Sequence, residues 1–179
     1  MAGVDPIPKD MPTLTPNLVV RDAARAIDFY RRALGAREDA RMMSPDGRTV
    51  WHAQLRIGGS TLFVNDEIPG MTKPAPTPEA PVPVTLWLYV EDCDAAFQRA
   101  VDAGAKPTMP PADMFWGDRC SAVVDPFGYA WSFSTHVRDM TDDEVRRAGE
   151  EFVRAWESSR PGEMTTVSGG DRAPSQPGV

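Results

Sequence analysis

The length, composition and charge of the chain exclude several classes of protein. With 179 residues, of which 41% are apolar and 25% charged, it has room for one domain or two small fused modules around a buried core. The net charge of −7 argues against a nucleic-acid-binding surface, which needs clustered Lys and Arg. The sequence shows no membrane-spanning run, no secretory signal and only two cysteines, so we expect a cytoplasmic protein with reduced thiols and no membrane partner.

The first elements in the chain predict a strand, a helix and three more strands. Residues 1–12 contain three prolines without periodicity and are predicted to form a flexible arm. LTPNLVV then predicts a strand, and Asp22 is expected to cap the helix AARAIDFYRRAL, which ends before Gly35. Three strands joined by Gly-containing turns follow, so we predict a first βαβββ module over residues 13–66.

A proline-rich segment separates this module from the rest of the chain. Residues 67–83, EIPGMTKPAPTPEAPVP, contain six prolines and no periodic pattern. Proline disfavours helix interiors and inner strands, so the segment is predicted to be a linker.

Beyond the linker the first pattern repeats. VTLWLYV predicts a strand, and Asp92 or Asp94 is expected to cap the helix that follows. Thr15 aligns with Thr85, 70 residues later, and Gly35 aligns with Gly104, 69 residues later. One single-residue gap therefore aligns two complete βαβββ units, and we predict a second module over residues 84–136.

A third helix lies outside the repeat. Thr141 and Glu144 predict a capping box for an amphipathic helix over residues 141–157, docked on the modules or on a partner subunit. Residues 158–179 are rich in Gly, Ser and Pro, and they are predicted to be disordered.

The repeated units resemble the vicinal oxygen chelate superfamily of glyoxalases, extradiol dioxygenases, and fosfomycin- and bleomycin-resistance proteins. The stretches MPPADMFWGDR and DPFGYAWSFSTH look especially like its PhnB-like branch. The resemblance covers roughly residues 13–136. It implies an α+β fold in which two tandem βαβββ modules form cupped mixed sheets, here followed by the C-terminal helix. It also implies a ligand cavity in each cup and a homodimer.

Metal-dependent members of this superfamily take their ligands from the first and last strands of each module. The corresponding positions in this sequence are Thr15, Phe63, Thr85 and Ser132. None of them is a carboxylate or an imidazole, which divalent ions need in their first shell. We therefore predict that the protein holds no metal and no other cofactor.

The candidate site residues are a histidine and a group of aromatic side chains. His52 shares a strand face with Gln54 and Arg56, and it is interpreted as a hydrogen-bonded or solvent-facing histidine. Its role in ligand binding or proton transfer stays open. Trp131 and Phe133 are assigned to the core by alternation, and Asp125 in DPFG is interpreted as a turn former.

The loop FWGDR is predicted to gate a ligand pocket. Phe115 and Trp116 would contact the ligand, whereas Asp118 and Arg119 would orient it or pair with each other. The full set of predicted ligand-binding residues is Asn17, His52, Gln54, Trp87, Tyr89, Phe115, Trp116, Arg119 and Ser132.

These residues are compatible with three functions. The favoured hypothesis is a metal-free protein that binds an apolar or aromatic small molecule, such as an antibiotic. The alternative is a metal-independent isomerase or lyase that uses His52 with the loop of Asp118 and Arg119. A metal-dependent glyoxalase or dioxygenase is disfavoured by the four substituted positions.

Overall fold

The first module folds as a strand, a helix and three further strands. The computed structural model of the protein describes residues 5–9 and 11–159. The elements of this module are β1 (Asn17–Val20), α1 (Ala23–Leu34), β2 (Arg37–Met43), β3 (Val50–Ile57) and β4 (Ser60–Asp66). The strands form one sheet in the order β1-β4-β3-β2, in which β1 and β4 are parallel and the other neighbours antiparallel.

The second module repeats this arrangement. Its elements are β5 (Thr85–Tyr89), α2 (Cys93–Asp102), β6 (Lys106–Asp113), β7 (Asp118–Val124) and β8 (Ala130–His136). The sheet order is β5-β8-β7-β6, again with one parallel pair, β5 and β8. The predicted α+β fold of two tandem modules with four-stranded mixed sheets is therefore confirmed.

The helices begin where the sequence predicts, because local capping chemistry determines their starts. The Asp22 carboxylate accepts a hydrogen bond from the Arg25 backbone N–H at 3.0 Å. Asp92 does the same for Ala95 at 2.9 Å, so Asp92 and not Asp94 is the cap of α2. Gly35 ends α1 with φ 65°, a conformation that glycine adopts without strain.

The two modules share one hydrophobic core. α1 packs against α2, and the inner faces of both sheets close over them. The ring of Tyr30 on α1 lies 5.5 Å from that of Trp131 on β8, and both side chains are almost fully buried. Phe133 is 1% exposed, so the assignment of Trp131 and Phe133 to the core is confirmed.

The segment between the modules packs on the second module instead of crossing solvent. Residues 67–83 form no helix and no strand beyond an isolated bridge between Thr77 and Ala80. Gly128, in the DPFG turn, has φ 89° and lies directly beneath Thr77. A Cβ atom at position 128 would come within 2.6 Å of the Thr77 carbonyl oxygen. The absence of a side chain at Gly128 is therefore what allows this close approach.

The C-terminal helix, α3 (Asp142–Ser158), belongs to a second unit that starts at residue 140. Its predicted capping box is confirmed. The Thr141 hydroxyl accepts a hydrogen bond from the Glu144 N–H at 3.3 Å, and the Glu144 carboxylate accepts one from the Thr141 N–H at 2.7 Å.

Parts of the predicted arm and tail lie outside the described residues. These are residues 1–4 and 10 of the arm and residues 160–179 of the tail. Within the described part of the chain, no helix has both the length and the apolar character needed to cross a membrane.

Candidate functional site

A cavity of about 860 Å³ lies on the first module's sheet. Its walls come from β1, β2, β3 and β4, from residues 68–86, and from Tyr129. Small-molecule sites in proteins enclose roughly 300–1,000 Å³. We call this space the large cavity.

Four side chains on one face of the sheet form the floor of the large cavity. Val19 on β1 pairs with Asn65 on β4, and Met42 on β2 pairs with His52 on β3. The register of β3 with β4 continues this row, and alternation sends the neighbouring Ala53 and Val64 to the core. The floor is thus a single row across the sheet, with apolar side chains at its two ends and polar ones in the middle.

The roof of the large cavity comes from the predicted linker. Ile68, Met71, Lys73 and Val82 all line the cavity. Sequence reasoning missed these contacts because it treated the segment only as a spacer. The apolar side chains of Ile68 and Met71 could have indicated these contacts, because a linker that crosses solvent is usually polar.

Hydrogen bonds hold the roof in shape. The Thr72 hydroxyl accepts a hydrogen bond from the Ile68 N–H at 2.9 Å, which closes a tight turn. The Glu67 carboxylate accepts one from the Ala75 N–H at 3.0 Å, and Ala75 is buried. These bonds give the segment a defined conformation over the floor.

Three polar side chains in the large cavity make no hydrogen bond to the part of the chain that the structure describes. The ring of His52 packs edge-on against Phe63, with centroids 4.6 Å apart. Within the described residues, no hydrogen bond or ion pair engages the side chains of His52, Asn17 or Lys73. Asn65 instead donates from Nδ2 to the Asp66 carbonyl at 2.9 Å. Three polar groups of the cavity are therefore available to a ligand.

On the second sheet, the face that corresponds to the floor of the large cavity carries small, hydrogen-bonded residues. Ser132 pairs with Trp87, is 3% exposed, and donates from Oγ to the Ser121 carbonyl at 3.0 Å. Trp87 and Tyr89 stand on the edge strand β5 and are 47% and 69% exposed. The structure therefore separates the predicted ligand-binding residues: Asn17 and His52 line the large cavity, whereas the second-module residues do not.

Gln54 shares the floor face of His52, but it does not line the large cavity. Trp87 lines a smaller cavity of about 280 Å³ between the modules, together with Leu86 and Trp131.

The FWGDR loop is organised around Asp118, which is 4% exposed. Its carboxylate accepts hydrogen bonds from the Tyr89 hydroxyl at 3.0 Å and from Trp116 Nε1 at 3.2 Å, and it lies 2.8 Å from Nδ1 of His136. Arg119 points elsewhere and pairs with two other carboxylates. Asp118 and Arg119 therefore do not pair with each other, although the sequence allowed that arrangement.

The partners of Arg119 are Asp94, with an N–O distance of 2.8 Å, and Asp113, at 2.9 Å. These ion pairs join the start of α2 to β6 and β7. Because both partners are exposed carboxylates, the arrangement ties surface elements together and does not present Arg119 to the large cavity.

The charges around Asp118 stabilise one another. Burial raises the pKa of Asp118, but hydrogen bonds from His136, Tyr89 and Trp116 outweigh this effect and hold the pKa below its ordinary value. Hydrogen bonds to Asp139 and Asp118 raise the pKa of His136. The cluster is thus a carboxylate and an imidazolium that favour each other's charged forms.

Asp125 forms its turn, as predicted, and also joins the modules. Its Oδ1 accepts hydrogen bonds from the backbone N–H groups of Phe127 and Tyr129 at 2.8 and 2.9 Å. Its Oδ2 accepts from the Tyr30 hydroxyl and from Trp131 Nε1, both at 2.9 Å. Burial raises the pKa of Asp125, and these four hydrogen bonds oppose that shift.

The residues at the superfamily's metal positions do not fit a metal ion. Phe63 offers no donor atom, and the Ser132 hydroxyl is used by the Ser121 carbonyl. Among the described residues, no group of three or more His, Cys, Asp or Glu side chains is arranged to hold a metal. No chemistry of the chain is therefore assigned to a metal.

The fold and the large cavity define a protein of paired βαβββ modules with a ligand-sized space on one sheet. A sequence model of the glyoxalase/bleomycin resistance protein/dioxygenase superfamily matches residues 13–133, and the chain belongs to this superfamily.

Several relatives support the assignment. An uncharacterized protein of Mycobacterium bovis is 47% identical over 140 residues, which cover 76% of this chain and 91% of that protein. The crystal structure of TioX from Micromonospora sp. ML1 is similar at 28% identity and a TM-score of 0.57, covering 70% of this chain and 99% of TioX. The X-ray structure of an Arabidopsis thaliana gene product is similar at 29% identity and a TM-score of 0.56, covering 69% and 98% of the two chains.

The fold is also that of a PhnB protein from Bacillus cereus, described as a putative 3-demethylubiquinone-9 3-methyltransferase. The TM-score is 0.54 at 16% identity, and the similarity covers 69% of this chain and 99% of that one.

Proposed function

We propose that the protein binds an apolar or aromatic small molecule in the large cavity without a metal ion. The observation that supports this function is the cavity itself, which has about 860 Å³ of space. Its lining combines apolar side chains, such as Val19, Met42 and Ile68, with a few polar groups that have no hydrogen-bond partner among the described residues. Binding sites for small molecules use this combination, because apolar walls supply affinity and a few polar groups supply orientation.

The alternative of a metal-independent enzyme has weaker support. It requires His52 to act together with Asp118 or Arg119, but His52 lines the large cavity and the other two residues do not. The hydrogen-bonding capacity of Asp118 is taken up by Tyr89, Trp116 and His136. A general base needs a partner or a substrate atom within hydrogen-bond reach. Within the described residues, the His52 ring packs against the edge of Phe63 and no hydrogen bond engages it.

A titration with Nile red, a neutral aromatic dye, tests the proposed function. Trp51 lines the large cavity and is 43% exposed, so its ring is accessible to a ligand. We expect saturable binding of the dye, and we expect Trp51→Ala to weaken it about fivefold to tenfold because one aromatic wall is lost. Mass spectrometry of denatured protein would identify co-purified molecules in parallel.

Trp116→Ala is the matched control for this experiment, since Trp116 is also a partly exposed tryptophan but does not line the large cavity. It should leave the dye affinity unchanged. The proposal is wrong if the dye does not bind, or if both variants weaken binding equally. Elemental analysis after purification without chelator should show no stoichiometric Zn, Ni, Mn or Fe, and about one ion per chain would reject the metal-free part of the proposal.

We also propose that the protein forms a homodimer through the edge strand β5. Val84, Trp87 and Tyr89 stand along this edge with 59%, 47% and 69% of their surfaces exposed. A row of exposed apolar side chains on an unpaired strand edge is typical of an interaction surface. Val84 also lines the large cavity, so this dimer interface would lie beside the proposed binding site.

A further inference from the structure

The charges that line the large cavity are unlike those of the chain as a whole. The chain has 26 acidic and 19 basic residues, giving a net charge of −7. Among the described residues that line the cavity, however, none is Asp or Glu, and Lys73 supplies a positive charge. The chain is acidic, but the described lining of the large cavity contains a lysine and no carboxylate.

The unpartnered polar side chains of the cavity are mainly hydrogen-bond donors. Lys73 carries three N–H donors and no acceptor, and the imidazole of His52 carries at least one N–H. Asn17 adds the N–H groups of an amide, together with one acceptor oxygen. Three other polar side chains already have partners: the Tyr129 hydroxyl bridges the Val19 backbone, the Thr72 hydroxyl bonds to Ile68, and Asn65 Nδ2 donates to the Asp66 carbonyl.

These donors come from opposite sides of the cavity. Asn17 and His52 belong to β1 and β3, which are separated by β4, so the two strands lie roughly 10 Å apart across the floor. Lys73 comes from the roof segment. The apolar side chains of Met42, Ile68 and Met71 form other parts of the lining.

We propose that the large cavity selects an amphipathic anion, a molecule with an apolar, aromatic-sized body and a carboxylate or a similar acidic group. This inference rests on the proposed binding function and adds the charge of the ligand. A carboxylate or related group accepts hydrogen bonds from the Lys73 ammonium, which also attracts its charge, and Asn17 and His52 can bond to polar atoms elsewhere on the ligand. A cation would lose part of its hydration on entry and meet Lys73 without any carboxylate to neutralise it.

Three probes that share one apolar body test this selection: naphthoate, naphthylmethanol and naphthylmethylammonium. Their dissociation constants are measured by calorimetry on the full chain at neutral pH. We expect naphthoate to bind tightest and the ammonium compound at least about tenfold more weakly, because like charges repel in a partly desolvated site. Added salt should weaken the binding of naphthoate and leave that of naphthylmethanol unchanged.

Lys73→Gln isolates the role of the positive charge. Lys73 is exposed, so we expect a loss of about threefold to fivefold in naphthoate affinity and no change for naphthylmethanol. Lys106→Gln is the matched control, since Lys106 is an exposed lysine on β6 that does not line the large cavity. It should change neither affinity.

The outcomes separate this inference from the proposed function. If naphthylmethanol or the ammonium compound binds as tightly as naphthoate, the anion preference is wrong, whereas the cavity remains a binding site. The same conclusion follows if Lys73→Gln and Lys106→Gln have equal effects on naphthoate. If none of the three probes binds, the proposed function itself is overturned.

Discussion

Substitution of Gly128 by alanine tests whether the roof of the large cavity depends on the DPFG turn. The new Cβ would lie 2.6 Å from the Thr77 carbonyl oxygen, whereas ordinary contacts begin at about 3.4 Å. The Thr77 backbone must therefore retreat by about 0.8 Å, the difference between these two distances. Alanine is also strained at the φ of 89°, at a cost of about 1–2 kcal/mol. Overpacking adds about 1–3 kcal/mol.

Gly47→Ala is the matched control for Gly128→Ala. Gly47 has φ 71°, but a Cβ there would meet nothing within 4 Å, so only the backbone strain applies. In urea unfolding we expect Gly128→Ala to be the less stable of the two variants by about 1–3 kcal/mol. We also expect Gly128→Ala to weaken Nile red binding severalfold, because displacing Thr77 disturbs the roof residues that precede it.

Two results would refute this reasoning. Equal stability of the two alanine variants would show that the contact between Gly128 and Thr77 has no energetic weight. Lower stability of Gly128→Ala with unchanged dye affinity would show that the position of residues 67–83 does not control the large cavity.

Three further predictions concern the buried carboxylate, the charged cluster and the dimer. Asp125→Asn should destabilise the fold by about 3 kcal/mol in urea unfolding, because the single amide oxygen cannot accept all four hydrogen bonds that the two carboxylate oxygens accept. A loss no larger than that of Tyr30→Phe, about 1.5 kcal/mol, would contradict this. The raised pKa of His136 predicts that its interactions stabilise the fold fully below about pH 6.5, and that this stabilisation is lost as the pH rises through the folded-state pKa. The lowered pKa of Asp118 predicts stabilisation of the fold that is present above about pH 3.8 and is lost as the pH falls through the folded-state pKa. An NMR titration should therefore give His136 a pKa above its ordinary value, and Asp118→Asn should bring it down; no change on that substitution would reject the pairing. Light scattering should report a dimer at tens of micromolar and a monomer for Trp87→Arg, and a monomeric wild type would reject the proposed dimer.

The sequence by itself was sufficient for the features that depend on local chemistry and periodicity. Asp22 and Thr141 cap their helices as predicted, because a side-chain oxygen needs only the next few backbone N–H groups, whereas the choice between Asp92 and Asp94 was made by the structure. Alternation placed Trp131 and Phe133 in the core, because the period of a strand leaves only two faces to choose from. The internal repeat predicted that the second half of the chain forms a sheet like the first, because similar sequence patterns fold into similar modules.

The tertiary structure decided which residues from distant parts of the chain meet. Residues 67–83 have no pattern of their own, and their hydrogen bonds and the close approach of Thr77 to Gly128 place them over the floor that contains His52. Asp118 and Arg119 are neighbours in sequence, but successive side chains of a strand point to opposite faces, so they find different partners. The lining of the large cavity could not be predicted from the sequence, because its charge and shape come from distant segments that meet only when the two modules pack together.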